Sequence, residues 1–367
     1  MASFAVVFGT RPEIIKLAGV LDTLGPAAVA IHTGQHYDED LSQVFLRGLG
    51  LAPPRYQLHL GGLSRADQIG RGTAEVAALL EQIKPDAVIV QGDTNSALAG
   101  ALAANSTGTP LVHVEAGLRS FDRAMPEEHN RVLIDHVADL LAAPTRGAVD
   151  NLLREGISRE AIVCTGNTIV EAVWRQLPDR EQRVAILARF QVQSRSFVLA
   201  TIHRPENTDD PDVLRRILTE LGSLGMKVLL PLHPRTVAAV QAANAADLLA
   251  PLTILSPLDG ATFLGLAAEA AILVSDSGGV QEEATVLGKP LVVVRRSTER
   301  PEALVGFATL VAPTGLVRAA RAYLSDLPGV YRSLEKLGSP FGDGTASATI
   351  CREVIARFSP SDAVSAP

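Results

Sequence analysis

Residues 4–16 read Phe-Ala-Val-Val-Phe-Gly-Thr-Arg-Pro-Glu-Ile-Ile-Lys. Five apolar residues without polar alternation are the mark of a strand buried on both faces, the glycine lets the chain turn, and a proline opens the helix that follows. The same passage from apolar run to helix recurs along the whole chain. In the first half the predicted strands are Phe4–Phe8, Val29–His32, Ala87–Gln91, Leu111–Val114, Leu140–Ala143 and Ile162–Thr165. In the second they are Phe197–Ile202, Val228–Leu232, Leu252–Leu255, Ile272–Ser275, Leu291–Val294 and Thr309–Val311. Each is followed by a helix-length amphipathic segment, so the fold class is α/β with parallel sheets. The strand rhythm pauses over residues 175–194, polar and helical in pattern, which predicts a linker between two Rossmann-like domains facing each other across a cleft.

Length and composition agree with this reading. A chain of 367 residues exceeds one ordinary domain core, and 47% hydrophobic with 20% charged residues excludes a disordered or fibrous protein. A formal charge of -7 without a basic block argues against a nucleic-acid groove or an anionic membrane surface as partner. No apolar stretch reaches the roughly 20 residues of a membrane helix. Met1 to Phe8 run into the first strand without a basic leader. The two cysteines, Cys164 and Cys351, have no partner spacing for a metal or a disulfide, and a reducing cytoplasm is the expected location.

In open α/β sheets ligands sit beyond the carboxyl ends of the strands, so the strand-to-helix junctions carry the chemistry. Gly9-Thr10-Arg11-Pro12-Glu13 puts Arg11 and Lys16 near a helix N-terminus, where cations are unfavourable unless an anion is also present; a solvated helix start is the plainer alternative. Asp93, in Gly92-Asp93-Thr94-Asn95-Ser96, is either a helix cap or a working carboxylate. Glu115, ending the fourth strand beside Ala116-Gly117, is costly to bury without a partner. Glu127 and Glu128 follow Pro126 in a first helical turn that favours acids. Three acidic points at one sheet edge suggest acid/base work. In the second half His203-Arg204-Pro205 is cationic and suited to a phosphate. Ser277-Gly278-Gly279 can present backbone N–H groups to a diphosphate, with Glu283 in reach of ribose hydroxyls. This junction has neither the Walker lysine nor the GxGxxG spacing, so a P-loop NTPase or a simple nicotinamide enzyme is not indicated, and no metal or cofactor is expected.

Taken together, GTRPE (9–13), TGQH (33–36), GDTNS (92–96), HVEAGLRS (113–120), MPEEHNR (125–131), TGNT (165–168), HRPEN (203–207), DSGGVQEEA (276–284) and TERPE (298–302) resemble the non-hydrolysing UDP-N-acetylglucosamine 2-epimerases, in order and over nearly the whole chain. The resemblance implies a fold of the glycosyltransferase-B type. Its first domain would comprise residues 1–174, completed by a last helix over 345–360 that crosses back to it, and its second residues 175–344. It implies Asp93, Glu115, Glu127 and His203 as catalytic residues. Arg11, Lys16, Phe263, Ser277, Gly278, Gly279, Glu283 and Arg300 would bind the UDP-sugar, in a homodimer needing no cofactor. Where many bacterial members read His-Arg-Arg-Glu-Asn, Pro205 stands here, which looks like the branch without a second, regulatory substrate site. The nearest alternatives are an epimerase of a modified UDP-sugar such as a diacetamido-uronate, and a UDP-sugar glycosyltransferase of the same fold.

Overall fold

Every predicted apolar run is a strand in the computed structural model, which describes residues 2–35, 46 and 49–359. Met1, His36 of the TGQH stretch and residue 360 of the expected last helix lie outside them. The described strands are β1 (Phe4–Phe8), β2 (Ala28–His32), β3 (Tyr56–Gln57), β4 (Ala87–Gln91), β5 (Leu111–Val114), β6 (Leu140–Ala143) and β7 (Ile162–Cys164), then β8 (Phe197–Thr201), β9 (Lys227–Pro231), β10 (Thr253–Leu255), β11 (Ile272–Ser275), β12 (Leu291–Val294) and β13 (Ala308–Val311). Every residue of β1, β4, β5, β6, β11 and β12 is buried, because helices cover both faces of these central strands. β3 was not expected: two residues show no period, and the strand exists through its parallel pairing of Ile31 with Tyr56 and His32 with Gln57.

The chain divides into two compact units, Met1–Ala172 with Phe341–Pro367, and Val173–Pro340. The first holds a parallel sheet in the order β3-β2-β1-β4-β5-β6-β7 and the second one in the order β10-β9-β8-β11-β12-β13. In each, the order reverses beside the unit's first strand, between β1 and β4 and between β8 and β11, which is the topological switch point of a Rossmann sheet. Phe4 pairs with Ala28 on one side and Ala87 on the other, and Ile272 pairs with Val198. The register places the ends of the paired strands side by side, and with them the loops that follow.

The last described helix, Ala346–Phe358, completes the first unit. Its Ile350, Cys351 and Val354 join the core formed by Phe4, Phe8, Ile14, Leu17 and Val20. Glu171 Oε1 accepts the Ser347 N–H at 2.8 Å and ties the helix start in place. Burial pushes the Cys351 thiol up to about 12, so this cysteine is inert packing. Residues 175–194 contain the helix that their pattern predicts, and it is docked on the second unit. Asp179 caps the helix Arg180–Arg189 in a reciprocal capping box with Gln182. Ile186, Leu187 and Phe190 pack on the second unit's core, and Arg183 Nε meets Glu269 Oε1 at 2.8 Å. The polar face that suggested a linker is the solvent side of a docked helix.

Candidate active site

In the first unit the junctions of β1, β4 and β5 are knit together by carboxylates. The helix Arg11–Leu24 begins on a capping box in which Glu13 Oε2 accepts the Gly9 N–H at 3.1 Å, the Thr10 N–H at 2.8 Å and the Thr10 hydroxyl at 2.7 Å. Its other oxygen accepts the Thr94 hydroxyl at 2.8 Å, which joins the β1 loop to the β4 loop. Burial pushes the Glu13 carboxyl up to about 7 against the pull of these four donors. Sequence reading passed over Glu13 because its partner Thr94 lies 81 residues away.

That raised value has a testable sign. An acid whose folded pKa exceeds its unfolded 4.5 contributes stability that is complete below about pH 4.5 and is lost as pH rises through about 7. Between pH 5 and 8 the wild type should therefore lose about 2–3 kcal/mol relative to Glu13→Gln. Urea unfolding of both proteins at the two pH values measures this, and parallel pH profiles would count against a protonated Glu13.

Asp93 is not the cap of the helix that follows it. Thr94 fills that place, its hydroxyl accepting the Ala97 N–H at 2.9 Å. The Asp93 carboxylate, with 30% of its side chain exposed, meets the guanidinium of Arg131, whose Nε lies 3.1 Å from Oδ2 and whose second nitrogen is closer still. Arg131 also donates to Glu128 at 2.6 Å. Glu128 in turn accepts the Ser120 N–H at 3.0 Å and the Phe121 N–H at 2.9 Å, so it is a buried clamp on the β5 loop. Its neighbour Glu127 is exposed in the first turn of the helix Pro126–Val137. Side by side in sequence, the two acids have different tasks.

Glu115 has a backbone φ of +71°, a conformation that residues other than glycine seldom adopt. The burial cost foreseen from the sequence is met by Lys16, whose Nζ lies 2.7 Å from both carboxylate oxygens, and by the Gln91 amide. Lys16, expected on the diphosphate, is thus buried against Glu115, while Arg11 remains exposed at the helix start.

At the switch point of the second unit the organising residue is Asp276, fully buried at the end of β11. It accepts the backbone N–H groups of His203 and Arg204, each at 2.9 Å, and the Asn207 amide at 3.0 Å. His203 Nδ1 stands 3.3 Å from its carboxylate. Burial holds the His203 imidazole below its ordinary value against the pull of Asp276, with Arg204, His233 and Arg235 acting in the same sense as burial. At neutral pH His203 is therefore an uncharged hydrogen-bonding group. Asp276 went unremarked in the sequence because its hydrogen bonds reach back 69 residues and more.

Ser277 stands at the cap position of the helix Gly278–Val286, and its hydroxyl makes no capping bond. A side chain at Gly278 would collide with Arg300, 2.6 Å from the first carbon, so the glycine lets that arginine lie across the helix start. At Gly279 the nearest such neighbour is Ser277 Oγ at 3.9 Å, so nothing among the described residues demands glycine there. Arg300, expected on a phosphate, is buried with Nε 2.6 Å from Glu282 and another nitrogen on Glu299. Arg295 donates to Glu299 at 2.8 Å and Arg204 approaches it at 3.8 Å. Of the adjacent acids, Glu282 is the buried arginine partner and Glu283 is half-buried. Phe263 is partly buried against the core that includes Leu266 and Val280. Among the described residues no group of three His, Cys, Asp or Glu side chains is placed to hold a metal ion, and no helix is long and apolar enough to cross a membrane.

Two Rossmann-ordered sheets, each with charged groups gathered at its switch point, place the chain in the class of proteins built from paired Rossmann-like units. A family model described as UDP-N-acetylglucosamine 2-epimerase matches residues 26–355, and the chain belongs to that family of isomerases. The UDP-N-acetylglucosamine 2-epimerase of Methanococcus maripaludis is 39% identical over 98% of this chain and 100% of its own. The UDP-2,3-diacetamido-2,3-dideoxy-D-glucuronate 2-epimerase of Pseudomonas aeruginosa is 35% identical over 94% of this chain and 97% of its own. Among solved structures, Methanocaldococcus jannaschii UDP-GlcNAc 2-epimerase in complex with UDP-GlcNAc and UDP superposes with a TM-score of 0.84 at 38% identity, covering 96% of this chain and 99% of that one.

Proposed function

We propose that the protein interconverts UDP-N-acetylglucosamine and UDP-N-acetylmannosamine without hydrolysing either. The observation that carries this reading is the pair of carboxylates, Asp93 and Glu115, at the carboxyl ends of β4 and β5, each held by its own cation. The C2 hydrogen of this sugar is not acidic, since no carbonyl adjoins it. It becomes so when the C1–O bond breaks and the electron pair leaves with UDP. A carboxylate then takes the C2 proton, the C–H pair forms the C1–C2 double bond of 2-acetamidoglucal, and protonation from the opposite face with return of a UDP oxygen to C1 gives the epimer.

In this scheme Asp93, Glu115 and Glu127 act on the ring. Lys16 holds Glu115 in place through a buried contact at 2.7 Å, and Arg131 does the same for Asp93. His203, uncharged, donates a hydrogen bond to the departing diphosphate. Arg11 contributes positive charge. Gly279, whose surroundings leave room for a ligand to approach the backbone, supports diphosphate binding with Ser277 and Gly278 at the helix N-terminus. Glu283 holds the ribose and Phe263 lies against the uracil, with the arginines around Glu299 supplying a positive field. The Pseudomonas aeruginosa relative favours a second reading, in which the sugar is a diacetamido-uronate.

Proton NMR of UDP-GlcNAc with the protein in deuterated water, without added metal or nicotinamide, tests the proposal. Signals of UDP-ManNAc and deuterium at C2 of both epimers are expected. Free sugar would mean hydrolysis, and an unchanged spectrum with turnover of the diacetamido-uronate would move the assignment to that substrate.

A further inference from the structure

His113 lies in the middle of β5, fully buried, two residues before Glu115. Its Nδ1 is 2.6 Å from Asp135 Oδ1 and its Nε2 is 2.8 Å from the Gly92 carbonyl oxygen. A carbonyl oxygen only accepts. So does an ionised carboxylate, and Asp135 is ionised: burial works to raise its carboxyl, but His113 and Arg119 override that and hold it below the usual carboxylate range. Both ring nitrogens therefore face acceptors, and each must donate.

A cation fixes Asp135 from the other side: its Oδ2 lies 2.7 Å from Arg119, and Arg119 makes a two-pronged contact with Glu155 at 2.8 and 2.6 Å. Glu155 keeps 26% of its side chain exposed and has His136, from the helix Pro126–Val137, 4.0 Å away.

The two ends of this ring touch different junctions. Gly92 carries the chain into Asp93. Asp135 accepts the Gly117 N–H at 3.1 Å, two residues past Glu115, and Asn151 holds the Gly117 carbonyl at 2.9 Å. We propose that His113 is a doubly protonated positioning residue that fixes the β4 junction bearing Asp93 against the β5 turn bearing Glu115. It touches neither carboxylate and acts through the backbone on each side. The proposal rests on the epimerase reading for its consequence in turnover, but not for the charge on the ring.

Nitrogen-15 NMR of the histidine rings in the ligand-free protein at pH 8, assigned with His113→Gln, tests the charge. Two protonated ring nitrogens are expected for His113, and one unprotonated nitrogen overturns the proposal. Kinetics test the positioning. With wild type shown to be active on UDP-GlcNAc, His113→Gln should lower kcat about 10- to 100-fold, the cost of misplacing reacting groups by a fraction of an ångström, with KM within about twofold. A variant that melts earlier yet keeps wild-type kcat overturns the positioning role. If His113→Gln does not fold, the ring resonances shifted by Asp135→Asn serve for assignment and the ring spectrum decides. Failure of the wild type to epimerise would sink the functional reading and leave the charge test standing.

Discussion

Asp93→Asn and Glu115→Gln each lower turnover by about 100-fold or more while UDP binds almost as tightly as to the wild type. Both substitutions keep size and shape, and remove the ability to accept a proton. In Glu115→Gln the ammonium of Lys16 also loses its negative partner, so this variant carries a stability cost that Asp93→Asn, with its partly exposed side chain, does not. Glu283→Ala shows the reverse pattern, weakening UDP by roughly 1–3 kcal/mol with the saturated rate less affected. Calorimetry with UDP and deuterium incorporation at C2 report the two effects separately. Near-normal C2 exchange in both carboxylate variants would reduce Asp93 and Glu115 to structural groups.

Arg300→Ala is expected to be strongly destabilising in the second unit. The guanidinium is shared by Glu282 and Glu299, both almost wholly buried. Breaking a buried ion pair from one side costs about 3–5 kcal/mol, and here Glu282 would lose the guanidinium beside it while staying out of water, whereas Glu299 keeps Arg295. The void beside Gly278 adds to this, since that glycine is shaped around the arginine. The companion variant Arg300→Lys restores a charge without the forked geometry and recovers only part of the loss. Unfolding monitored by urea titration measures both. A change below about 1 kcal/mol in Arg300→Ala would show that the Arg300 ion pairs add little to stability.

The fold was legible because its decisive signal is local. A strand covered on both faces must be apolar throughout, and Phe4–Phe8 or Leu291–Val294 admit no other reading. Where the signal was short or mixed, the sequence misled. Tyr56–Gln57 has no period to detect, and the polar pattern of Arg180–Arg189 shows a helix without showing which core it docks on. At the junctions, Glu115 could be singled out by the cost of burial alone, whereas Glu13, Arg131, Asp135 and Asp276 owe their importance to partners brought by distant strands. Neighbouring acids posed a different difficulty. Which of Glu127 and Glu128, or of Glu282 and Glu283, turns inward depends on the rotation of a short helix about its axis, and one residue reverses it.

The helix Ala346–Phe358 bears on how the polypeptide matures on the ribosome. Val354 and Ile350 belong to the core of the first unit, yet about half of the chain, the entire second unit, is translated before they emerge. At about 5–20 residues per second the nascent first unit waits on the order of ten to thirty seconds with Ile14, Leu17 and Val20 uncovered. During that interval the second unit, contiguous in sequence, can complete its own core. The core of the first-made unit is therefore complete only once this helix has emerged, well after synthesis of the sheet that carries Asp93 and Glu115.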